Sequence, residues 1–363
     1  MSSTNNDQEL PKPISTSDHL DADDAAKLLL STGVSKAYQR IDHAIVRNFI
    51  GGALVSVGGM LTLLVKGGCN GLEESNPAIV QILLGLVFPV GLAMSTLTGG
   101  ELSTGNVLFL VIALLQRKIP IWRAVTCFTV SFLGNLAGSL FYLIISHFGH
   151  ILSAEPYRAG TIIFANDKVL VPSGITVFVR AIGCNWLICI GVYNAFLSRT
   201  VVSRVISIWI PIFTFVAVGF ENSVANMFLV PMGMINGSPI SVGLFIWKSL
   251  ILSTLGNMVG GGFFVGALYW YLYIFPEVHA RDEIDGGHED DIIPIAETAS
   301  ALAPILSRAL TQMRSREAAD SMDILERQDR ERKMQSLSHD VISESPSDAS
   351  NSGTMGVRGE KLK

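Results

Sequence analysis

Between about residues 44 and 276 the chain runs in long apolar stretches parted by short polar connections, while 1–43 and 277–363 are polar throughout. Buried strands give apolar runs of about 4 to 8 residues, and these are far longer. The pattern predicts an all-α polytopic membrane protein with soluble tails, its spans near 45–65, 78–116, 122–146, 175–197, 205–235 and 240–274. Two of the six are overlong and interrupted by polar residues. The second is apolar for 39 residues. At about 1.5 Å per residue, a straight helix of that length would nearly double the ~30 Å hydrocarbon layer. It is still too short for two spans and a loop. The fifth, of 31 residues, repeats the anomaly. Both are predicted to be broken helices, half-helix then irregular loop then half-helix.

The breaks coincide with polar residues. Gly100-Glu101-Leu102-Ser103-Thr104-Gly105-Asn106 interrupts the second segment and Gly219-Phe220-Glu221-Asn222-Ser223-Val224-Ala225-Asn226 the fifth. Glu101, Ser103 and Asn106 recur as Glu221, Ser223 and Asn226, each displaced by 120 residues. Such groups cost several kcal/mol each in lipid unless paired or facing a wet cavity. A second match, Gly134-Asn135-Leu136-Ala137-Gly138 against Gly256-Asn257-Met258-Val259-Gly260, has a shift of 122. Three spans per copy is an odd number, so the second copy enters the bilayer upside down. An inverted 3+3 repeat follows, with copies over about 44–146 and 175–275. Broken helices at the repeat interface are where transport sites form. The first and fourth spans offer no clear alignment.

Flanking segments complete the layout. Residues 21–40 read as an amphipathic helix, with Asp21, Asp23 and Asp24 at its start and Lys36 and Arg40 at its end. It lies along the membrane, caps a pore entrance or is a plain lead-in to the first span. The connection 147–174 is the longest between spans, and residues 292–333 carry helical spacing in an otherwise Ser-rich tail. Arg117, Lys118 and Arg123 mark one short connection and Arg199 and Arg204 another, which places both tails in the cytoplasm of a plasma-membrane protein.

Composition narrows the chemistry. The chain is 49% hydrophobic and 16% charged, and its net charge of −5 is set by the acidic tail rather than by a binding surface. Cys69, Cys127, Cys184 and Cys189 have neither metal-ligand nor disulfide-framework spacing. No cofactor, metal or nucleic acid is indicated. Residues 1–30 have no apolar h-region, so no cleavable leader is expected. The predicted spans hold no histidine and no constellation of nucleophile and base, which argues against an enzyme. Paired Asn-Pro-Ala sequences, the mark of a water channel, are absent from the sequence.

Thr-Gly-Gly-Glu-Leu-Ser-Thr-Gly-Asn at 98–106, Arg-Ala-Ile-Gly-Cys-Asn-Trp-Leu at 180–187, the polar break at 219–227 and Gly-Asn-Met-Val-Gly-Gly at 256–261 resemble the formate/nitrite transporter family, and its fungal members in particular. The resemblance implies an aquaporin-like fold with helices 2 and 5 broken, assembled as a homopentamer with one pore per protomer. It implies passage of small monovalent anions, nitrite and formate, often with a proton. By position, Leu102 and Phe215 would form an outer constriction and Phe88 and Leu92 an inner one. Thr104 would lie in the break, Lys168 beside the pore mouth, and Asn135, Asn185, Asn226 and Asn257 on the family's asparagine positions. Two departures stand out. Asn222 occupies a position where the family usually has histidine, and Ser103 one where it often has an aromatic residue.

These residues suggest a mechanism. Lys168 and the half-helix ends draw an anion into a vestibule, where low dielectric raises its pKa, and the neutral acid crosses with Asn222 and Thr104 as hydrogen-bonding partners. Glu101 and Glu221 are expected to accept backbone N–H bonds at the breaks, and Asn135 and Asn257 to tie the loops to neighbouring helices. Larger monocarboxylates such as acetate and lactate, or an anion channel insensitive to pH, are the alternatives.

Overall fold

The computed structural model describes residues 20–275 and six positions between 304 and 322. Those six are helical and exposed, and the hydroxyls of Ser307, Thr311 and Ser315 donate to carbonyls three or four residues back. The rest of the predicted tail helix over 292–333 lies outside the described residues.

Every element from 20 to 275 is helical. In chain order they are α1 (Ala22–Tyr38), α2 (Ile41–Gly68), α3 (Asn70–Ser75), α4 (Pro77–Val87), α5 (Pro89–Thr98), α6 (Ser103–Leu115), α7 (Ile121–Phe148), α8 (Tyr157–Val169), α9 (Gly174–Leu197), α10 (Val201–Ala217), α11 (Ser223–Asn236) and α12 (Val242–Tyr273). Five stretches are long and apolar enough to cross a membrane: α2, α4 with α5, α7, α9 and α12. The predicted fifth element is divided between α10 and α11, of 17 and 14 residues. The segment before the first break is longer than a half-helix, since Pro77–Thr98 alone provides 22 residues. Their outward faces carry exposed Ile82, Leu86, Leu133, Phe141, Val179 and Ile210, as lipid contact requires.

Both breaks are made the same way. α5 ends on Gly99 at φ 80° and α10 runs out two residues before Gly219 at φ 75°. Left-handed backbone of this kind ends a helix cheaply only at glycine. The following amides close back over five residues, Gly100 to the Ser95 carbonyl at 2.8 Å and Phe220 to the Phe215 carbonyl at 3.0 Å. Next, the Glu101 amide donates to the Arg47 carbonyl and the Glu221 amide to the Arg180 carbonyl. α2 and α9 therefore hold equivalent positions beside the two breaks, with Val46-Arg47 and Val179-Arg180 in matching places.

α12 differs from the other long helices in containing two π-helical stretches, Phe245–Leu252 and Val259–Ala267. The connection 147–174 contains α8, a helix that its polar composition does not announce. α8 buries Gly160, Thr161, Ala165 and Val169 at helical spacing and packs against α11 and α2. α1 does the same with Ala25, Leu29, Gly33 and Ala37, four residues apart, against α6.

Candidate functional site

Each break presents a carboxylate at a depth where it needs a partner. The partners are cations, from α1 and α2 at the first break and from α8 at the second. Glu101 Oε2 lies 2.9 Å from Lys36 Nζ on α1, and its Oε1 lies 3.3 Å from Arg47. Gln39 and Asn106 also donate to it, each at 3.4 Å. Glu221 Oε1 lies 3.1 Å from Lys168 Nζ on α8, and its Oε2 accepts from Asn226 at 2.9 Å. The expected backbone N–H bonds to these carboxylates are not made. The amides of Glu101, Ser103, Glu221 and Ser223 are taken by carbonyls and by asparagine oxygens, and the carboxylates pair with lysines instead. Lys36 is the residue that sequence reading undervalued, as a charge suited to a helix terminus. Burial lowers its pKa while the Glu101 charge and hydrogen bond hold it up.

Two asparagines fasten the loops. Asn135 Oδ1 accepts the Ser103 amide at 2.8 Å, and its Nδ2 donates to the carbonyls of Asn48 and Glu101, both at 2.8 Å. Asn257 does the same with the Ser223 amide at 2.9 Å and the carbonyls of Ala181 and Glu221 at 2.8 and 3.0 Å. Asn185 donates to the Thr104 and Asn257 carbonyls and so joins α6 to α12. Asn106 also donates to Ser131, whose hydroxyl in turn donates to Asn48. In the other half Ala181 stands where Asn48 does, and this chain has no counterpart.

Three cavities stand in series between the breaks. The first, about 190 Å³, is lined by Lys66, Lys168, Arg180, Glu221, Phe88 and Phe215 among others. The second, about 150 Å³, is lined by Lys36, Glu101, Leu92, Leu102 and Phe109 among others. It adjoins a wide mouth of about 500 Å³ at Ser35, Gln39, His43 and Arg47. Between them lies a chamber of about 10 Å³, walled by Val55, Phe88, Leu92, Leu102, Thr104, Ile188, Ile212, Phe215, Asn222 and Val224. That space holds about one water molecule. Thr104 and Asn222 are its polar walls, both buried.

The four residues implied as constrictions all reach this chamber, but they group differently. Phe88 and Phe215 meet edge to face at 5.8 Å on the Lys168 side. Leu92 and Leu102 lie on the Lys36 side. The correction follows from the fold: Leu102 sits in the first break, next to Glu101, whereas Phe215 sits in α10, one turn before the second. Ser103 lines none of these cavities; its amide is fastened by Asn135 and its hydroxyl has no partner.

Polar breaks within apolar helices, with lysine-lined vestibules on either side of a narrow chamber, define the class as a polytopic membrane channel or transporter. Residues 23–271 match the family model described as formate/nitrite transporter. The chain is 38% identical to a probable formate transporter of Methanothermobacter thermautotrophicus, over 69% of this chain and 96% of that one. It is 31% identical to the uncharacterized transporter YHL008C of Saccharomyces cerevisiae, over 74% of this chain and 45% of that one. A solved pentameric formate channel with formate bound superposes with a TM-score of 0.57 at 27% identity, covering 64% of this chain and 98% of that one. The chain belongs to the formate/nitrite transporter family, whose members are transporters and channels, not enzymes.

Proposed function

We propose that the protein conducts formate, nitrite or both across the membrane, with the permeant passing the chamber as the neutral acid. The observation that carries this reading is the contrast between charged vestibules and an almost wholly apolar chamber one water wide. A hydrated anion does not fit there, and stripping a carboxylate of water costs many kcal/mol. The lysines and the positive ends of α6 and α11 favour an anion up to the slits. There the low dielectric raises its pKa, a proton arrives from water, and the uncharged acid passes Phe88 and Phe215, then Leu92 and Leu102. Asn222 and Thr104 hydrogen-bond it between the two slits.

Around this path the chain is organised as a transport domain over about 44–276, with polar tails at 1–43 and 277–363. Its halves are inverted copies of three spans each, in an aquaporin-like arrangement with both termini cytoplasmic at the plasma membrane. The matched bonds of Asn135 and Asn257 support that symmetry, and the equivalence of α1 with α8 adds a short helix to each copy. The Lys36 vestibule then faces the cytoplasm and the Lys168 vestibule the outside. The assembly is a homopentamer, in line with the pentameric formate channel that it resembles.

Uptake of labelled formate and nitrite into liposomes, at external pH values spanning two units, tests the reading. Uptake should climb as external pH falls. Flux indifferent to pH would remove the neutral-acid step. Asn222 favours the rival, a channel for the anion itself, because an amide does not titrate. Current without alkalinisation of the bath would select it.

A further inference from the structure

We infer that Asn222 is a donor-only group toward the permeant, held so by its second duty as the cap of α11, and that this fixed polarity selects what the chamber accepts. The inference rests on the channel reading above and names its specificity-determining residue. Asn222 Oδ1 accepts from the amides of Val224 at 2.8 Å and Ala225 at 3.2 Å, with the extended backbone of a helix N-cap. Two backbone N–H groups converge on one atom, so that atom is the carbonyl oxygen; the amide nitrogen there would meet two donors with a donor. The backbone therefore settles which way the side chain faces. Turning the amide over would strand both N–H groups of α11 in the interior.

With the oxygen engaged, what Asn222 offers the chamber is Nδ2, which has no acceptor among the described residues. Leu102 occupies the matching position of the first break and caps nothing. The other polar wall, Thr104, has a buried hydroxyl with no partner, free to donate or accept. A solute in the chamber must therefore accept from Asn222, as the oxygens of a carboxylic acid, carboxylate or nitrite do. An ammonium-type cation finds only the Thr104 oxygen. A neutral acid matches both walls, its carbonyl toward Asn222 and its hydroxyl toward Thr104. This selection needs no charge on the side chain.

The test replaces the donor and keeps the cap. Asn222→Asp retains an oxygen able to accept from α11 and loses the N–H donor, whereas Asn222→Ser retains both an accepting oxygen and an O–H that can donate. Formate uptake into liposomes at neutral pH should fall about tenfold or more in Asn222→Asp and by less in Asn222→Ser, with oligomeric state and melting temperature close to wild type in both. Uptake by a correctly assembled Asn222→Asp protein within twofold of wild type would overturn the inference. So would failure of both variants to assemble, since each should cap. Wild-type protein without formate or nitrite uptake would overturn the channel reading instead.

Discussion

Lys36 and Glu101 are joined across 65 residues of chain by a contact of 2.9 Å, in which α1 supplies the counter-charge for the carboxylate of the first break. Lys168 stands in the same relation to Glu221, at 3.1 Å. The two sites differ in depth of support. Glu101 keeps Arg47 if Lys36 is removed, whereas among the described residues Lys168 is the cation within 4.0 Å of Glu221. Breaking one partner of a buried pair costs about 3–5 kcal/mol. Lys36→Met should fall near the lower end and Lys168→Met near the upper. Lys36→Met with Glu101→Gln should regain most of the loss, because no uncompensated charge is left. Thermal melts of the detergent-solubilised protein, read by size-exclusion recovery, check the order. Equal losses for the two single variants would contradict it.

Asn135 and Asn257 each satisfy one amide and two carbonyls that water cannot reach. Replacing either with alanine leaves three backbone groups unpaired at about 1–3 kcal/mol apiece, softened where the loop relaxes. Because the two sets of bonds match group for group, Asn135→Ala and Asn257→Ala should lower the melting temperature by similar amounts, and both should lose assembled protein. A large loss in one with none in the other would show that only one break depends on its staple.

The spans and the breaks were legible in the sequence because lipid imposes a crude rule: apolar length, and a heavy penalty for each buried polar group. Gly99 and Glu101 violate that rule visibly, as do Gly219 and Glu221. The equivalence of α2 with α9 was not legible. It is carried by the carbonyls of Arg47 and Arg180 and of Asn48 and Ala181, and in side chains only Val46-Arg47 and Val179-Arg180 repeat, too short a match to read without the fold. α8 was missed because Arg158, Asn166, Asp167 and Lys168 give it the composition of a loop, while its buried stripe is only four small or branched residues. The partnership of Lys36 with Glu101 needed the fold, since no local pattern pairs residues that far apart. The grouping of the constrictions failed for a related reason: position in the chain does not say on which side of a chamber a side chain falls.

Asp167 neighbours Lys168 on α8 and lines the same vestibule, 3.9 Å from Lys66, which also pairs with Glu73. Burial pushes its carboxyl above the ordinary aspartate range; Lys66 and Lys168 oppose the rise and Glu73 adds to it. A raised pKa means that Asp167 takes up its proton earlier than a free aspartate as the solution bathing that vestibule is acidified. The vestibule then loses a negative charge while its lysines keep theirs, and draws anions more strongly. Asp167→Asn removes that charge at every pH. Uptake at neutral pH should rise about two- to fivefold at low ionic strength, with a shallower increase on acidification. Initial rates of formate uptake against external pH, for both proteins, provide the comparison. Superimposable profiles would show that Asp167 has no hand in attraction.

Gly138 on α7 and Gly260 on α12 settle how closely the helices that hold the staples approach their neighbours. A Cβ on Gly138 would run into the carbonyl oxygen of Phe49, and one on Gly260 into that of Ile182. Neither oxygen can retreat, because each belongs to the body of a long helix, α2 or α9. Glycine is thus required at these crossings for contact distance, not for backbone freedom. The crossings in turn set the reach of Asn135 and Asn257 to the loops. Gly138→Ala and Gly260→Ala should each cost at least the 1–3 kcal/mol typical of overpacking and loosen the nearer break as well. Gly71→Ala and Gly243→Ala, where an added Cβ meets nothing within 4 Å, should leave melting and assembly unchanged. If all four variants behave alike, close helix contact is not what positions the breaks.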